Sequence, residues 1–369
     1  MWMMRAQGVV LAALLAAAAA LLIISGHWPQ GLGILFGVAY GVIIQRSRMC
    51  FATAFYGNAY LMRGILLGLL VASLSSYVLM KMGLVAAPHV VTFGVHVFIG
   101  SLLFGFLMPF VGGCMLGTIY RVGTGISTSG FAFLGILAGN LLGPLLVWDL
   151  TKALKSPTSG FVLLTQLGAE AALAINIAAI AALFYITKRA VPISITPFKI
   201  REPWPAWAGG LALGVVFAVQ FAVWGVLVTQ LPLARATLYI ADAASGMRLS
   251  AAWSEGAGLG ASWVQDNRLV APYADPFMYL VLGILGGAMV AALLSGEFQW
   301  FKLYGGWRTL ARHFAAGIGM GIAVWIAVGC NVSGFYTSVG TLRPEVGWVY
   351  ALGMYLGARL GLKILYRFA

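Results

Sequence analysis

The chain has 369 residues, of which 62% are hydrophobic and 8% charged, with a mean hydropathy of +0.96. Soluble domains carry roughly a quarter charged residues, so this composition cannot coat a water-soluble globule and excludes a cytosolic enzyme, a secreted disulfide scaffold and a disordered chain; it specifies an integral membrane protein. The net charge of +13 fits cytoplasmic loops and anionic lipid rather than nucleic acid, because no basic polar face exists.

Ten apolar runs follow one another at 9–25, 29–45, 64–80, 93–111, 129–148, 170–187, 206–230, 276–295, 313–329 and 346–366. A span needs roughly 17 to 25 residues. The expected fold is therefore an all-α integral membrane protein of about nine to ten transmembrane helices, the lower number applying if short re-entrant helices replace a crossing. Arg5 and the Ala/Leu stretch that follows resemble a signal peptide, but no convincing small-x-small site precedes His27-Trp28-Pro29, so the first run reads as a retained span.

Lys188, Arg189, Lys199 and Arg201 share one loop, Lys302, Arg308 and Arg312 another, and Lys363 and Arg367 lie near the C-terminal end; these read as cytoplasmic. The basic loop with Pro192, Pro197, Pro203 and Pro205 divides the chain into a first membrane half (1–187), a linker (188–205) and a second half (206–369). The second half includes a polar segment, 232–275, expected as the largest soluble stretch on the outer face. With ten spans both termini are cytoplasmic; with nine the N-terminus lies outside. A faint repeat links the halves: Gly105 lies nine residues before Cys114 and Gly321 nine before Cys330, while Tyr120 and Tyr336 each lie six after. The helices leading to Cys114 and Cys330 then cross in opposite directions, as an inverted repeat requires. The earlier pair, 29–45 and 276–295, run the same way, a conflict the sequence leaves open.

Three cysteines form no CxxC pair, so no disulfide framework or zinc site is expected. The first lies in Arg46-Ser47-Arg48-Met49-Cys50-Phe51. Its spacing alone favours a cytoplasmic loop and an interfacial helix with Cys50 as a small buried hydrophobe; the alternative is a short half-helix from Met49 to Tyr56 turned back into the protein. The second lies in Gly112-Gly113-Cys114-Met115-Leu116-Gly117, followed by Arg121. Paired glycines here suit either close helix packing or a backbone break at a cavity, where freed amides bind an anion. The third, Gly329-Cys330-Asn331-Val332-Ser333-Gly334, poses the same choice. Every cysteine in the chain has such a context, and that shifts the balance toward a pathway.

The RSRMCF, GGCMLG and GCNVSG segments, with SGEF at Ser295 to Phe298, resemble the YeeE/YedE family of bacterial inner-membrane transporters for sulfur-containing anions, over roughly residue 30 to the C-terminus. The resemblance implies an hourglass-shaped, pseudo-symmetric inverted-repeat fold whose path is lined by Cys50, Cys114 and Cys330; the glycine breaks beside the second and third cysteines place Gly112, Gly113, Gly329 and Asn331 in support. It implies thiosulfate or a similar small anion as substrate and a cytoplasmic TusA-like sulfur carrier as partner. Some relatives are assigned to selenium metabolism, so a selenium species is the alternative substrate.

Thiols suit such a substrate. A ring of Arg or Lys at a constriction binds a divalent anion and holds it, whereas conduction needs sites weak enough to leave. A neutral S–H is a weak donor with a polarizable sulfur, and successive thiols can hand the anion on. Arg46, Arg48 and Arg121 then attract anions at the mouths, although ordinary positive-inside topology explains them equally well. No Walker A sequence occurs, acidic residues in the runs are limited to Asp149, Glu170 and Glu297 near span ends, and His96 reads as interfacial, so downhill movement is expected. No cofactor or metal is expected. A membrane thiol or sulfur-transfer enzyme is the reading from another class, disfavoured by the lack of a vicinal cysteine pair.

Overall fold

The computed structural model describes residues 2–86, 93–155, 163–190, 197–199, 202–246 and 271–368. In chain order the helices are α1 (Trp2–Ile24), α2 (Trp28–Ser47), α3 (Phe51–Phe55), α4 (Ala59–Lys81), α5 (Val95–Val111), α6 (Met115–Gly123), α7 (Ser127–Leu146), α8 (Trp148–Lys155), α9 (Leu163–Ala190), α10 (Ala206–Val223), α11 (Gln230–Ser245), α12 (Pro276–Ser295), α13 (Trp307–Ala327) and α14 (Pro344–Phe368). A π-helical turn, Asn331–Thr337, and one further helical turn, Ser338–Gly340, precede α14. Among the described residues the chain is an all-α multi-pass membrane protein, with nine helices long and apolar enough to cross a bilayer, α5 and α6 counting as one interrupted span, Val95–Gly123. The tenth long helix, α14, carries Glu345, Arg359, Lys363 and Arg367.

Close contacts fix the helix directions. Gly33, Gly37 and Gly41 of α2 meet Pro276, Leu280 and Ile284 of α12 in rising order, so these two helices run parallel. By the same test α4 runs with α10 (Gly64 on Ala206, Gly68 on Gly210), α7 with α13 (Gly135 on Phe314, Gly139 on Ile318) and α5 with α14 (Phe98 on Gly353, Leu102 on Gly357, Phe106 on Gly361). The glycines are reciprocal: Gly283 and Gly287 meet the carbonyls of Ile34 and Val38, and Gly317 and Gly321 those of Ala132 and Ile136. A Cβ at these places collides with a partner's backbone, so small residues here bring helix axes together, the usual device where lipid supplies no hydrophobic drive for association.

α10 and α2 are antiparallel, since Gly209 meets Ser47 while Trp224 stacks on Phe36. α5 and α13 are antiparallel too, Gly100 meeting Ala327 and Gly112 approaching His313. α1 opposes α12, Gly8 meeting Leu294 and Leu15 meeting Gly286, and α9 opposes α4, Lys81 pairing with Glu170 while Arg63 donates to the Thr187 carbonyl. α2 and α5 both end just before cysteines, Cys50 and Cys114, whose sulfurs flank Gly117, so they run the same way, and the ten long helices alternate in direction. α1 begins, and α14 ends, on the face where α2 stops, which also bears Arg48, Lys199, Arg308 and Lys363. The opposite face carries the Lys81–Glu170 and Asp149–Lys152 ion pairs.

Two expectations change. The run 206–230 is not one span: α10 stops at Val223, and Trp224–Thr229 is non-helical, with the Leu227 carbonyl accepting a hydrogen bond from Thr337 Oγ1 at 2.6 Å. Nor does 232–275 begin as a solvated stretch. Its first part lies within α11, where Leu233, Ala234, Arg235, Ala236 and Leu238 are buried and the Gln230 side-chain amide donates to Asn140 Oδ1. Arg235 pairs at 2.6 Å with Asp275, both side chains buried; burial pushes the guanidinium down and the carboxyl up from their ordinary pKa values. Arg248, Glu255, Asp266 and Arg268, and in the basic linker Pro192 and Arg201, lie outside the described residues. His96, expected at the interface, is fully buried.

Candidate functional site

One backbone device occurs three times. The residue two before each cysteine takes the left-handed conformation that ends a long helix: Arg48 (φ 51°) ends α2, Gly112 (φ 79°) ends α5 and Val328 (φ 54°) ends α13. The cysteine is then extended and serves as the N-cap of a short helix, Cys50 for α3, Cys114 for α6 and Cys330 for the π-helical turn. Only the second break uses glycine for its turn. Val328 is the most strained, since a β-branched residue is disfavoured at positive φ; Gly329 beside it accepts a hydrogen bond on its carbonyl from Tyr350 Oη at 3.1 Å.

The short helices converge in the interior. Phe51 of α3 packs edge-on against Phe335 and Tyr336 of the π-helical turn at 6.2 and 5.6 Å between ring centroids, and Phe55 against Phe335 at 5.5 Å. α3 is thus buried rather than interfacial, because its aromatic side chains find partners on the second half of the chain. All three thiols are free and buried.

Cys50 and Cys114 form a pair. Their thiols hydrogen-bond to each other, and each sulfur faces backbone amides: those of Thr53 and Cys114 for Cys50, those of Gly117 and Ala52 for Cys114. The Gly117 N–H donates to Cys114 Sγ at 3.3 Å. Two helix N-termini therefore surround the two sulfurs with N–H groups, an arrangement that favours negative charge. Arg121 lies beside them, within electrostatic reach of both sulfurs, and donates from Nη1 to the Gly112 carbonyl, so it satisfies the end of α5 as well. A Cβ on Gly113 would lie 3.5 Å from Arg121 Nη1.

Cys330 has different company. Its sulfur lies 3.6 Å from Thr229 Oγ1 and 3.8 Å from Ser333 Oγ, and its backbone N–H donates to Ser333 Oγ at 3.0 Å. Asn331, next in the chain, is fully buried, with no hydrogen-bond partner for Nδ2 or Oδ1 among the described residues. Tyr350 is within electrostatic reach of both Cys330 and Cys114 and so links the two neighbourhoods.

The remaining arginines of the sequence reading lie apart from the thiols. Arg48 pairs with Glu297 of the SGEF segment at 2.9 Å, Glu297 also accepts from Gln45 Nε2 at 3.0 Å, and Arg46 donates to the Glu202 carbonyl. Sequence reasoning missed Thr229, hidden in a run that looks like continuous span, and the buried Arg343–Glu345 pair at 2.5 Å between the π-helical turn and α14. It also missed Asn176, which donates to the Val339 carbonyl at 2.7 Å and accepts from Trp348 Nε1 at 3.0 Å, tying α9 to the segment after Cys330.

A profile of the family described as sulphur transport matches residues 46–360, a stretch that contains all three breaks. The chain belongs to the sulphur transport family. The likeness drawn from the cysteine segments thus holds, and membership places the chain among transporters rather than enzymes. A thiosulfate transporter, TsuA, of Spirochaeta thermophila is 27% identical over 355 residues, covering 91% of this chain and 98% of that protein. TsuA of Escherichia coli is 25% identical over 345 residues, covering 88% and 91%. A probable transporter, YedE, of Salmonella typhimurium is 33% identical over 137 residues, which span 35% of this chain and 33% of YedE.

Proposed function

We propose that this chain carries thiosulfate, or a closely related sulfur-bearing anion, inward across a bacterial inner membrane, passing it along Cys330, Cys114 and Cys50. The observation that carries this reading is the placement of three cysteine sulfurs at the N-termini of three short helices that meet inside the bundle. Non-helical backbone at membrane depth is tolerated where it lines a cavity or pathway, and amides at helix ends hold an anion more weakly than a cluster of cations, so it can leave again. The names of the two full-length relatives support thiosulfate as the substrate.

Two inverted halves fit the alternation of directions. α2, α4, α5 and α7 in the first half then correspond to α10, α12, α13 and α14 in the second, each running oppositely to its counterpart. On this reading α2 and α12 are neighbours rather than repeat mates, which removes the conflict in the sequence pattern. The basic face is the cytoplasmic one by the positive-inside rule, with Arg121 between the Cys50–Cys114 pair and that face, and it is where a TusA-like sulfur carrier docks. Consumption inside the cell maintains the gradient.

The test is uptake of radiolabelled thiosulfate by cells that lack other sulfur routes and express this chain, with sulfate and selenite as competitors. Saturable uptake resistant to excess sulfate is expected, because sulfate offers only hard, strongly hydrated oxygens to a polarizable thiol wall. Uptake equal to that of cells without the chain sinks the reading, and preferential block by selenite transfers it to selenium.

A further inference from the structure

We propose that Thr229 is a fourth substrate-contacting residue of the path, which with Asn331 binds the oxygens of the anion while the thiols bind its sulfur. This rests on the transport reading above and adds a second kind of donor to it.

Thr229 ends the non-helical stretch after α10 and stands as the N-cap of α11, yet its hydroxyl makes no capping bond. A threonine at this position ordinarily turns its oxygen onto the first-turn amides. Here the oxygen, fully buried, lies against Cys330 Sγ instead. Under the inverted correspondence of the halves, the break after α10 is the counterpart of the break after α2, so Thr229 occupies the place of Cys50. The pairing supports this: the free thiols of Cys50 and Cys114 both lie against Gly117, and Thr229 contacts the counterpart of Cys114, which is Cys330. One half of the path thus presents two thiols and the other a thiol with a hydroxyl.

Asn331 is the independent observation. A buried carboxamide with both ends unpaired is costly, and such a group beside a transport path is accounted for by a ligand that completes it when bound. Its NH2 is a donor suited to an anionic oxygen, as is the Thr229 hydroxyl. A thiosulfate-like ion has three such oxygens and one terminal sulfur. Oxygens on Thr229 and Asn331 leave the sulfur end for the thiols, so the anion is oriented as well as bound. Discrimination of this sort is strong, because a hydroxyl placed to bond an oxygen is left unpaired by a ligand that lacks one.

The experiment measures thiosulfate uptake and, on purified protein in detergent, the thiosulfate concentration that protects Cys330 from alkylation, for the wild type, Thr229→Val and Thr229→Ser. Valine keeps the shape and removes the hydroxyl. We expect Thr229→Val to raise the half-saturating and the half-protecting concentrations together, by on the order of tenfold for a lost hydrogen bond to an ion, with Thr229→Ser near wild type. The protection assay on monodisperse protein separates this from misfolding. If Thr229→Val matches the wild type in both measurements, the role of Thr229 falls and the transport reading stands. An inactive, unprotected wild type overturns both.

Discussion

The Cys50–Cys114 and Cys330 neighbourhoods use the same backbone and different chemistry. Each begins with a left-handed residue ending a long helix, an extended cysteine and a short helix that presents its amides to the interior. At the first, two sulfurs touch, backbone N–H groups surround them and Arg121 stands close by. At the second, one sulfur meets two hydroxyls, and among the described residues the adjacent Asn331 carboxamide has no partner and no arginine bonds to the sulfur. On the transport reading proposed above, the difference teaches that the backbone supplies attraction for an anion in both places, while the side chains decide which end of the anion is read.

That contrast breaks most completely if the thiols are removed. Cys114→Ala and Cys330→Ala are expected to reduce thiosulfate uptake to the level of cells without the chain, with folded protein retained by size-exclusion chromatography. Cys50→Ala should be as severe, since Cys50 lies buried against Cys114 rather than at a mouth; clearly milder loss means that the pair does not act together. Next in size is Gly117→Ala, whose Cβ would lie 2.9 Å from Cys50 Sγ and 3.3 Å from Cys114 Sγ. Overpacking of this kind costs about 1–3 kcal/mol, so uptake should fall roughly tenfold or more with a lowered melting temperature, both measurable on one preparation.

Serine exchange sharpens the comparison. Cys114→Ser should lose more uptake than Cys330→Ser, because a hydroxyl is foreign to the first neighbourhood and already present in the second; equal loss at both would argue that the two sites read the anion alike. Arg121→Gln leaves the thiols in place and removes the nearby cation, and a several-fold higher half-saturating concentration is expected from kinetics across substrate concentrations. The smallest effect is Glu297→Gln. It separates Arg48 from its partner in a pair whose arginine is exposed and whose carboxylate is half-buried, and surface pairs contribute about 0.2–1 kcal/mol, so uptake should stay within about twofold of wild type.

The ten runs were legible because apolar length is the one property a bilayer imposes on every crossing segment. The cysteines were legible as a set through their shared context, and the GGC segment through a glycine that takes positive φ. Arg48 and Val328 perform the same turn without glycine, held by surroundings that sequence does not display. Trp224–Val228 reads as helix since a non-helical stretch with a buried core of Val226, Leu227 and Val228 is as apolar as a span. Thr229, Asn176 and Glu345 draw their meaning from partners that packing brings near. Cys330 stands 101 positions from Thr229, and Val339 stands 163 from Asn176.

The glycine seams also constrain how the molecule can be made. α2 closes on α12, α4 on α10, α5 on α14 and α7 on α13, so each seam joins a helix synthesised early to one synthesised late. The first helices enter the bilayer with their small-residue faces against lipid, and no hairpin of neighbours can cover them. Contacts of such long sequence separation form slowly, and assembly has to wait until the last helix has left the ribosome. A chain stopped before Pro344 lacks the partner of α5 and leaves the second break unsupported. Such intermediates are natural substrates for membrane quality control, and the yield of the protein should depend more on the rate of synthesis than on the stability of any one helix.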